Sequence, residues 1–175
     1  IDIVYRPEAS DINLNIGFET DDTRIQLDQA GKSIWTMNDH VSVFYKSEDN
    51  QEWRYQGQTG DRTGVIAPIG SVKTPSISGN IVVVYPYDIN NAYSTQTNRV
   101  AATVAQEQQY TTNSYGSNGN ILIAQSTTNN LSLKNVYGWL KVSLTGDGQT
   151  VKSITLTGNN DEQLAGNILI NAEDA

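Results

Sequence analysis

The chain has 175 residues, a formal net charge of −8 and no cysteine. The lack of cysteine excludes disulfides, thiolate metal sites and cysteine nucleophiles, and the excess of acidic residues disfavours binding to nucleic acid and to anionic lipid. No apolar run approaches the ~20 residues of a membrane-spanning helix. A chain of this length can bury about 70% of its unfolded surface on folding, so its stability does not require disulfides.

The first predicted element is a half-buried strand near the N-terminus. Ile12, Leu14, Ile16 and Phe18 alternate with asparagine or glycine, which is the period-2 pattern of a strand with one face toward a core. A further short strand is predicted over 23–27.

The middle of the chain predicts a hairpin and a buried strand. Alternating apolar residues over 41–45 and 53–55 flank a polar turn at 47–51, which indicates a β-hairpin. The continuous apolar run Ile81–Tyr85 predicts a strand that is buried on both faces, and Pro86 is expected to end it.

Residues 88–119 are ambiguous. The segment 99–109 can form a short helix with Val100 and Val104 on one face, or an extended strand in a long connection. Residues 111–120 are polar and predict a loop.

The C-terminal third predicts a β-meander. Gly146-Asp147-Gly148 forms a hairpin-type turn signal between two runs in which apolar residues alternate, namely Leu140, Val142 and Leu144 before it and Ile154 and Leu156 after it. Together with the earlier strands, this pattern predicts one all-β sandwich domain over residues 1–175, with at most one or two short helices.

The sequence carries no recognisable catalytic motif. His40 is the single histidine, with Asp39, Ser33 and Ser42 nearby in sequence, but there is no G-x-S-x-G elbow, which a serine nucleophile of the hydrolase type requires. We interpret His40 as a turn residue before a strand that begins at Val41. Most carboxylates lie in predicted turns, so the chain is not expected to be an enzyme.

Oxygen ligands for Ca²⁺ could come from Asp21-Asp22, Asp147 and residues 159–162, but none of these has the spacing of an EF-hand. Turns rich in Asn and Asp explain them better, because these side chains cap their own turns. No cofactor or metal is expected.

The aromatic residues fall into two groups. Trp35, Trp53 and Trp139 are expected to pack in the core or at sheet edges, as large aromatics do in β-sandwiches. Tyr93, Tyr110 and Tyr115 lie in the polar region and are candidates for exposed contacts, including stacking on sugars.

Several segments, in order, resemble the N-terminal domain of the fimbrillin-like surface proteins of Bacteroides-type bacteria. They are FETDDTRIQL and SIWTMNDHVSVFY over 18–45, VVYPYD over 83–88, KNVYGWLKVSLTGDG over 134–148 and VKSITLTGNNDEQLAGNI over 151–168. The resemblance covers most of residues 18–170.

The resemblance implies a transthyretin-like, Greek-key β-sandwich in an exported lipoprotein precursor at the outer membrane surface. In that family a protease cuts after an arginine and releases an N-terminal strand, and a strand from a neighbouring subunit fills the groove. Carried over to this chain, Ile12, Leu14, Ile16 and Phe18 form the candidate assembly strand, and Arg6 or Arg24 is the candidate processing site.

The resemblance also implies that residues 1–175 are the N-terminal domain of a longer protein, because the family usually carries a second β domain. The expected function is that of a non-enzymatic pilus subunit, tip or anchor whose partners are other pilin subunits. The alternative is a surface domain of a lipoprotein that binds host or microbial glycans.

Overall fold

The computed structural model describes residues 12–19, 26–27, 33–72, 79–111, 119–138, 140 and 142–174. Within these residues there are twelve strands and one 3-10 helix, Ala172–Asp174. The strands are β1 (Leu14–Phe18), β2 (Gln26–Leu27), β3 (Ser33–Ile34), β4 (His40–Tyr45), β5 (Gln51–Tyr55), β6 (Thr63–Pro68), β7 (Ile81–Tyr85), β8 (Ala92–Ser94), β9 (Arg99–Val104), β10 (Leu122–Ser126), β11 (Asn130–Asn135) and β12 (Gly166–Asn171). The all-β prediction is therefore confirmed.

Seven strands form a closed barrel in the order β1-β11-β10-β7-β4-β5-β6. Its neighbouring strands are antiparallel except for β1 and β11, which run parallel. The expected sandwich is replaced by this barrel because β1 pairs on both of its edges, with β11 on one side and β6 on the other, and so joins the two ends of the sheet.

A three-stranded sheet, in the order β12-β9-β8, packs against the outside of the barrel. Two apolar clusters result, one inside the barrel and one between the barrel and this sheet. Alternate residues of β7 belong to different clusters: Ile81 and Val83 lie in the barrel core, and Val82 and Val84 lie in the second cluster. The prediction that this strand is buried on both faces is confirmed.

The predicted hairpin of the N-terminal half is also confirmed. Strands β4 and β5 pair antiparallel, with Val41 opposite Trp53, and β7 ends at the residue before Pro86. Of the two alternatives for residues 99–109, the strand is correct, because β9 pairs with both β8 and β12 over Arg99–Val104.

The predicted C-terminal meander is wrong as a paired element. Among the described residues from 136 to 165 no strand is present, and the five alternating apolar residues are all exposed, namely Leu140, Val142, Leu144, Ile154 and Leu156. The alternation satisfies the local requirement for a strand, but no neighbouring strand supplies hydrogen bonds to it. Only Gly166–Asn171, at the end of this region, joins a sheet.

Candidate assembly surfaces

Strand β1 is the element that closes the barrel. Its main chain pairs with β11, where Ile16 is opposite Leu131, and with β6, where Ile16 is opposite Gly64. Further main-chain hydrogen bonds extend the contact at both ends, from the Asn15 amide to the Asn129 carbonyl (2.8 Å) and from the Glu19 amide to the Leu133 carbonyl (3.1 Å). Removal of β1 would therefore leave a slot with two unpaired strand edges.

The inward side chains of β1 are buried in the barrel core. Leu14, Ile16 and Phe18 are at most 8% exposed, and Ile12 packs against the same cluster while remaining partly exposed. The sequence-based expectation that these four residues point toward the core is confirmed. Burial of each of the three fully enclosed side chains contributes about 1.5–3 kcal/mol to folding.

Phe18 reaches an aromatic stack in the barrel. Its ring lies 5.0 Å from the Trp35 ring, which in turn stacks on Tyr55 at 4.7 Å with an interplanar angle of 11°. Tyr85 meets Trp35 edge-on at 6.1 Å. Loss of β1 would uncover one face of this stack, so the fluorescence of Trp35 reports on whether the slot is filled.

The β6 side of the slot is tightly packed at Gly64, which lies opposite Ile16 of β1. A Cβ added at Gly64, opposite Ile16, would come within 2.6 Å of Cε2 of the Tyr55 ring. Burial, followed by the charge of Asp61, raises the pKa of Tyr55 to about 12, and its hydroxyl donates to the Asp61 carboxylate at 3.2 Å. Any larger residue at position 64 would therefore overlap the Tyr55 ring, and glycine avoids this overlap.

The second candidate assembly surface is the free edge of the three-stranded sheet. Among the described strands β12 pairs with β9 alone, and Leu169, on its outer face, is 68% exposed. An open depression of about 460 Å³ lies over Leu169, Ala101 and Thr103. Sequence reasoning did not identify this edge, because a pattern of alternation does not say which side of a strand lacks a partner.

His40 was expected to lie in a turn, but it is the first residue of β4. Its Nδ1 atom lies 2.5 Å from Oε1 of Glu52 on the paired strand β5. The neighbouring Asp39 carboxylate instead accepts a hydrogen bond from the Thr36 amide at 2.8 Å. Burial raises the pKa of Asp39, although that hydrogen bond and the charge of His40 partly oppose the shift.

The serine nearest to His40 in the β4 sequence is held by other groups. The Ser42 hydroxyl accepts a hydrogen bond from the Asn91 side-chain amide at 3.0 Å, and it lies 3.5 Å from the Asp88 carbonyl. Since a serine nucleophile must be hydrogen-bonded to its general base, Ser42, His40 and Asp39 do not form a catalytic arrangement here.

The three tyrosine candidates do not form a shared surface. Tyr93 was expected to be exposed but is buried, because it lies on the inner face of β8, packs 5.6 Å from the Phe44 ring and donates a hydrogen bond to Asn98. Tyr110 is 87% exposed. Tyr115 lies outside the described residues, as do the two candidate processing sites, Arg6 and Arg24.

Among the described residues, no group of three His, Asp or Glu side chains could hold a metal ion. In the Asn- and Asp-rich turn over 159–162, the Glu162 carboxylate accepts hydrogen bonds from the main-chain and side-chain amides of Asn160, at 2.9 and 3.0 Å. These bonds lower the pKa of Glu162. They show that the polar side chains of this segment form hydrogen bonds within their own turn.

In the part of the chain that the structure describes, no helix has the length and apolar character to cross a bilayer. Comparisons of the chain with protein-family models, with curated proteins and with solved structures give no match.

Proposed function

We propose that this protein is a non-enzymatic cell-surface structural or adhesive protein, a pilus subunit or a tip or anchor component, that assembles by β-strand addition. The observation that supports the proposal best is the position of β1, which joins the ends of the barrel sheet between a parallel and an antiparallel neighbour. A strand in this position can be replaced by another strand of the same alternation without a change in the other six.

Two further observations agree with this proposal. The strand that would leave is short and precedes the other six barrel strands in the chain, so one break between β1 and β2 separates it from them. The slot that it fills is lined by apolar and aromatic side chains, which gives specificity for a strand with apolar residues at alternate positions.

The alternative, a surface glycan-binding domain, has less support. A sugar-stacking platform needs exposed aromatic rings in one plane, and Tyr93 is in the core between the barrel and the small sheet. Tyr110 remains an exposed ring that such a platform could use.

The proposal is tested by deletion of residues 1–18. We expect a lower melting temperature, a change in tryptophan fluorescence because Trp35 loses Phe18, and recovery of both when a peptide of residues 12–19 is added. A matched peptide carrying Ile16→Asp should not restore them, because a carboxylate cannot be buried opposite Gly64 without a partner. If the deletion neither lowers the melting temperature nor promotes peptide binding or oligomers, this segment is not the assembly element and the glycan-binding alternative gains support.

A further inference from the structure

The free edge of β12 lacks the features by which proteins usually protect an exposed strand edge. The strand, Gly166–Asn171, reads GNILIN and contains no charged residue and no proline. Its pairing with β9 runs through six consecutive positions, and of the strands that the structure describes β9 alone adjoins it. Since lysine, proline or a bulge normally blunts such an edge, this one is open to pairing with a further strand.

The hydrogen bonds to β9 determine which main-chain groups point toward the open edge. The Ala172 amide donates to the Asn98 carbonyl at 3.0 Å, and these two residues continue the register of β12 and β9 by one position. Opposed residues of antiparallel strands alternate between hydrogen-bonded and non-hydrogen-bonded pairs, so Ile168 and Ile170 also bond to β9. The main-chain groups that face the open edge are therefore those of Asn167, Leu169 and Asn171.

The sequence of this edge is a palindrome. Residues 167–171 read Asn-Ile-Leu-Ile-Asn, which is the same in both directions about Leu169. Two copies of the strand placed antiparallel around a two-fold axis at Leu169 bring each side chain opposite one of its own kind. An isologous interface requires a surface that complements itself in this way, and the strand meets that requirement over all five residues.

The palindromic register also matches the faces of the sheet. Ile170 is buried against the barrel, whereas Ile168, on the same face, is only partly buried. In this register Ile168 lies opposite Ile170 of the second copy, so its open side gains an apolar neighbour, which is favourable in proportion to the area removed from water. A shift by two residues in either direction would instead place Leu169 opposite an asparagine.

Charge does not oppose this pairing, although the whole chain carries a net charge of −8. The strand itself is uncharged, and the first carboxylates after it belong to Glu173 and Asp174. Continued past the strand, the register places them opposite Ala165 and Leu164 of the second copy, which carry no charge. The pairing therefore brings no like charges directly opposite each other, an arrangement that would destabilise it.

The twist of the sheet directs the two barrels away from each other. Each barrel packs on the same face of its own three-stranded sheet, and the joined sheets would have six strands. Adjacent strands are rotated by roughly 20–25°, and three strand intervals lie between the two copies of β9, so the two barrels diverge by about 60–75°.

We propose that β12 pairs with β12 of a second copy, antiparallel and centred on Leu169, to form a two-fold dimer through a continuous six-stranded sheet. This contact goes beyond the proposed assembly role, because it uses a different edge from the β1 slot and closes at two copies. A single pair of strands buries a small area, so the dimer belongs to the weak class of interfaces that bury less than about 1,200 Å².

The first test is sedimentation equilibrium of the 175-residue chain at concentrations up to about 1 mM, where a dimer with a Kd of 1 mM is still substantially populated. The variant Leu169→Lys places two like charges at the two-fold axis, and Leu169 is 68% exposed, so the fold should tolerate the change. We expect dimers of the wild type and a Kd that is about tenfold or more higher in this variant. The control Met37→Lys makes the same change at an exposed residue before β4 and should dimerise as the wild type does.

The second test measures the register by cross-linking, since the chain has no cysteine. In Leu169→Cys the two thiols face each other, with Cα atoms about 5.5 Å apart, within the range of about 4.4–6.8 Å that a disulfide spans. In Asn167→Cys, on the same face, the two thiols lie four residues apart along the strands, about 13 Å. We expect Leu169→Cys to form linked dimers about tenfold or more faster than Asn167→Cys, because pairing raises the effective concentration of its thiols. A mixture of Asn167→Cys with Asn171→Cys, whose positions are opposed, should cross-link faster than either variant alone.

The proposal is overturned if the wild type is monomeric at about 1 mM, or if Leu169→Lys dimerises as strongly as Met37→Lys does. Equal cross-linking rates in Leu169→Cys and Asn167→Cys would overturn it as well, because the two copies would then not be centred on Leu169. A mixture of Asn167→Cys and Asn171→Cys that links no faster than the separate variants has the same consequence.

Discussion

Ile16 offers the sharpest test of the role of β1 in the barrel, and we predict that Ile16→Ala greatly weakens folding. The side chain is 2% exposed, and its opposite residue on β6 is Gly64, which has no side chain to move into the space. Ile→Ala changes in a core cost about 2–5 kcal/mol, with the higher values where the surroundings cannot relax. We therefore expect a loss of about 3–4 kcal/mol in the free energy of unfolding.

The measurement is denaturant unfolding followed by tryptophan fluorescence and far-UV circular dichroism, with the midpoint shifted and the slope unchanged. Asn15→Ala is the matched control, because Asn15 is on the outer face of the same strand, where its side chain bonds to Asn130 at 2.8 Å. Such an exposed change should cost within about 0.5 kcal/mol. A loss of less than about 1 kcal/mol for Ile16→Ala would refute the burial argument for β1.

Three other predictions follow from the same structure. Gly64→Ala should destabilise the fold by about 1–3 kcal/mol through its clash with Tyr55, whereas Gly138→Ala, with no atom within 4 Å of the added Cβ, should be nearly neutral in thermal melts. Because the folded-state pKa of Tyr55 is raised from 10.0 to about 12, its contribution to stability should be complete below pH 10 and be lost as the pH rises from 10 toward 12. Tyr55→Phe should flatten that part of the stability curve, and an unchanged slope would contradict the assignment. Tyr93→Phe should cost about 0.5–1.5 kcal/mol by removing the hydrogen bond to Asn98, and no loss in denaturant unfolding would mean that this bond is not maintained in solution.

The strands with strong alternation could be predicted from the sequence. Leu14, Ile16 and Phe18 have the period-2 pattern of a half-buried strand, and they are buried. The continuous run Ile81–Tyr85 likewise predicted burial on both faces, which the barrel and the small sheet provide. In both cases the local pattern determines which faces must leave water.

The closure of the barrel could not be predicted in this way. A pattern of alternation specifies the buried face of β1 but not its neighbours, and β11, with which it pairs, lies more than a hundred residues further along the chain. The same limit explains the C-terminal region, where the apolar residues from Leu140 to Leu156 alternate as those of β1 do, but the described residues of this region have no paired strand. A strand pattern is stable only where another edge is available.

The choice of strand over helix at Arg99–Val104 and the unexpected burial of Tyr93 both have local causes. Val100 and Val104 are spaced four residues apart, which suits a helix face and also, with Ala102 between them, one face of a strand. Tyr93 lies in a polar stretch, but the short strand β8 turns it toward Phe44. Short elements of three residues carry too little pattern to indicate which face is buried.

The central claim, that the β1 slot accepts a strand from outside, is tested most directly by strand exchange in the 175-residue chain. A single specific protease site placed after Arg24 separates β1 from the rest of the chain once cut. Fluorescently labelled peptide of residues 12–19 is then added, with the Ile16→Asp peptide and the uncut protein as controls. We predict saturable incorporation of the wild-type peptide into the cut protein alone, with displacement of the original segment. If the cut protein stays folded and takes up neither peptide, or takes up both equally, β1 is a permanent part of the barrel and the proposed assembly by strand addition at this slot is wrong.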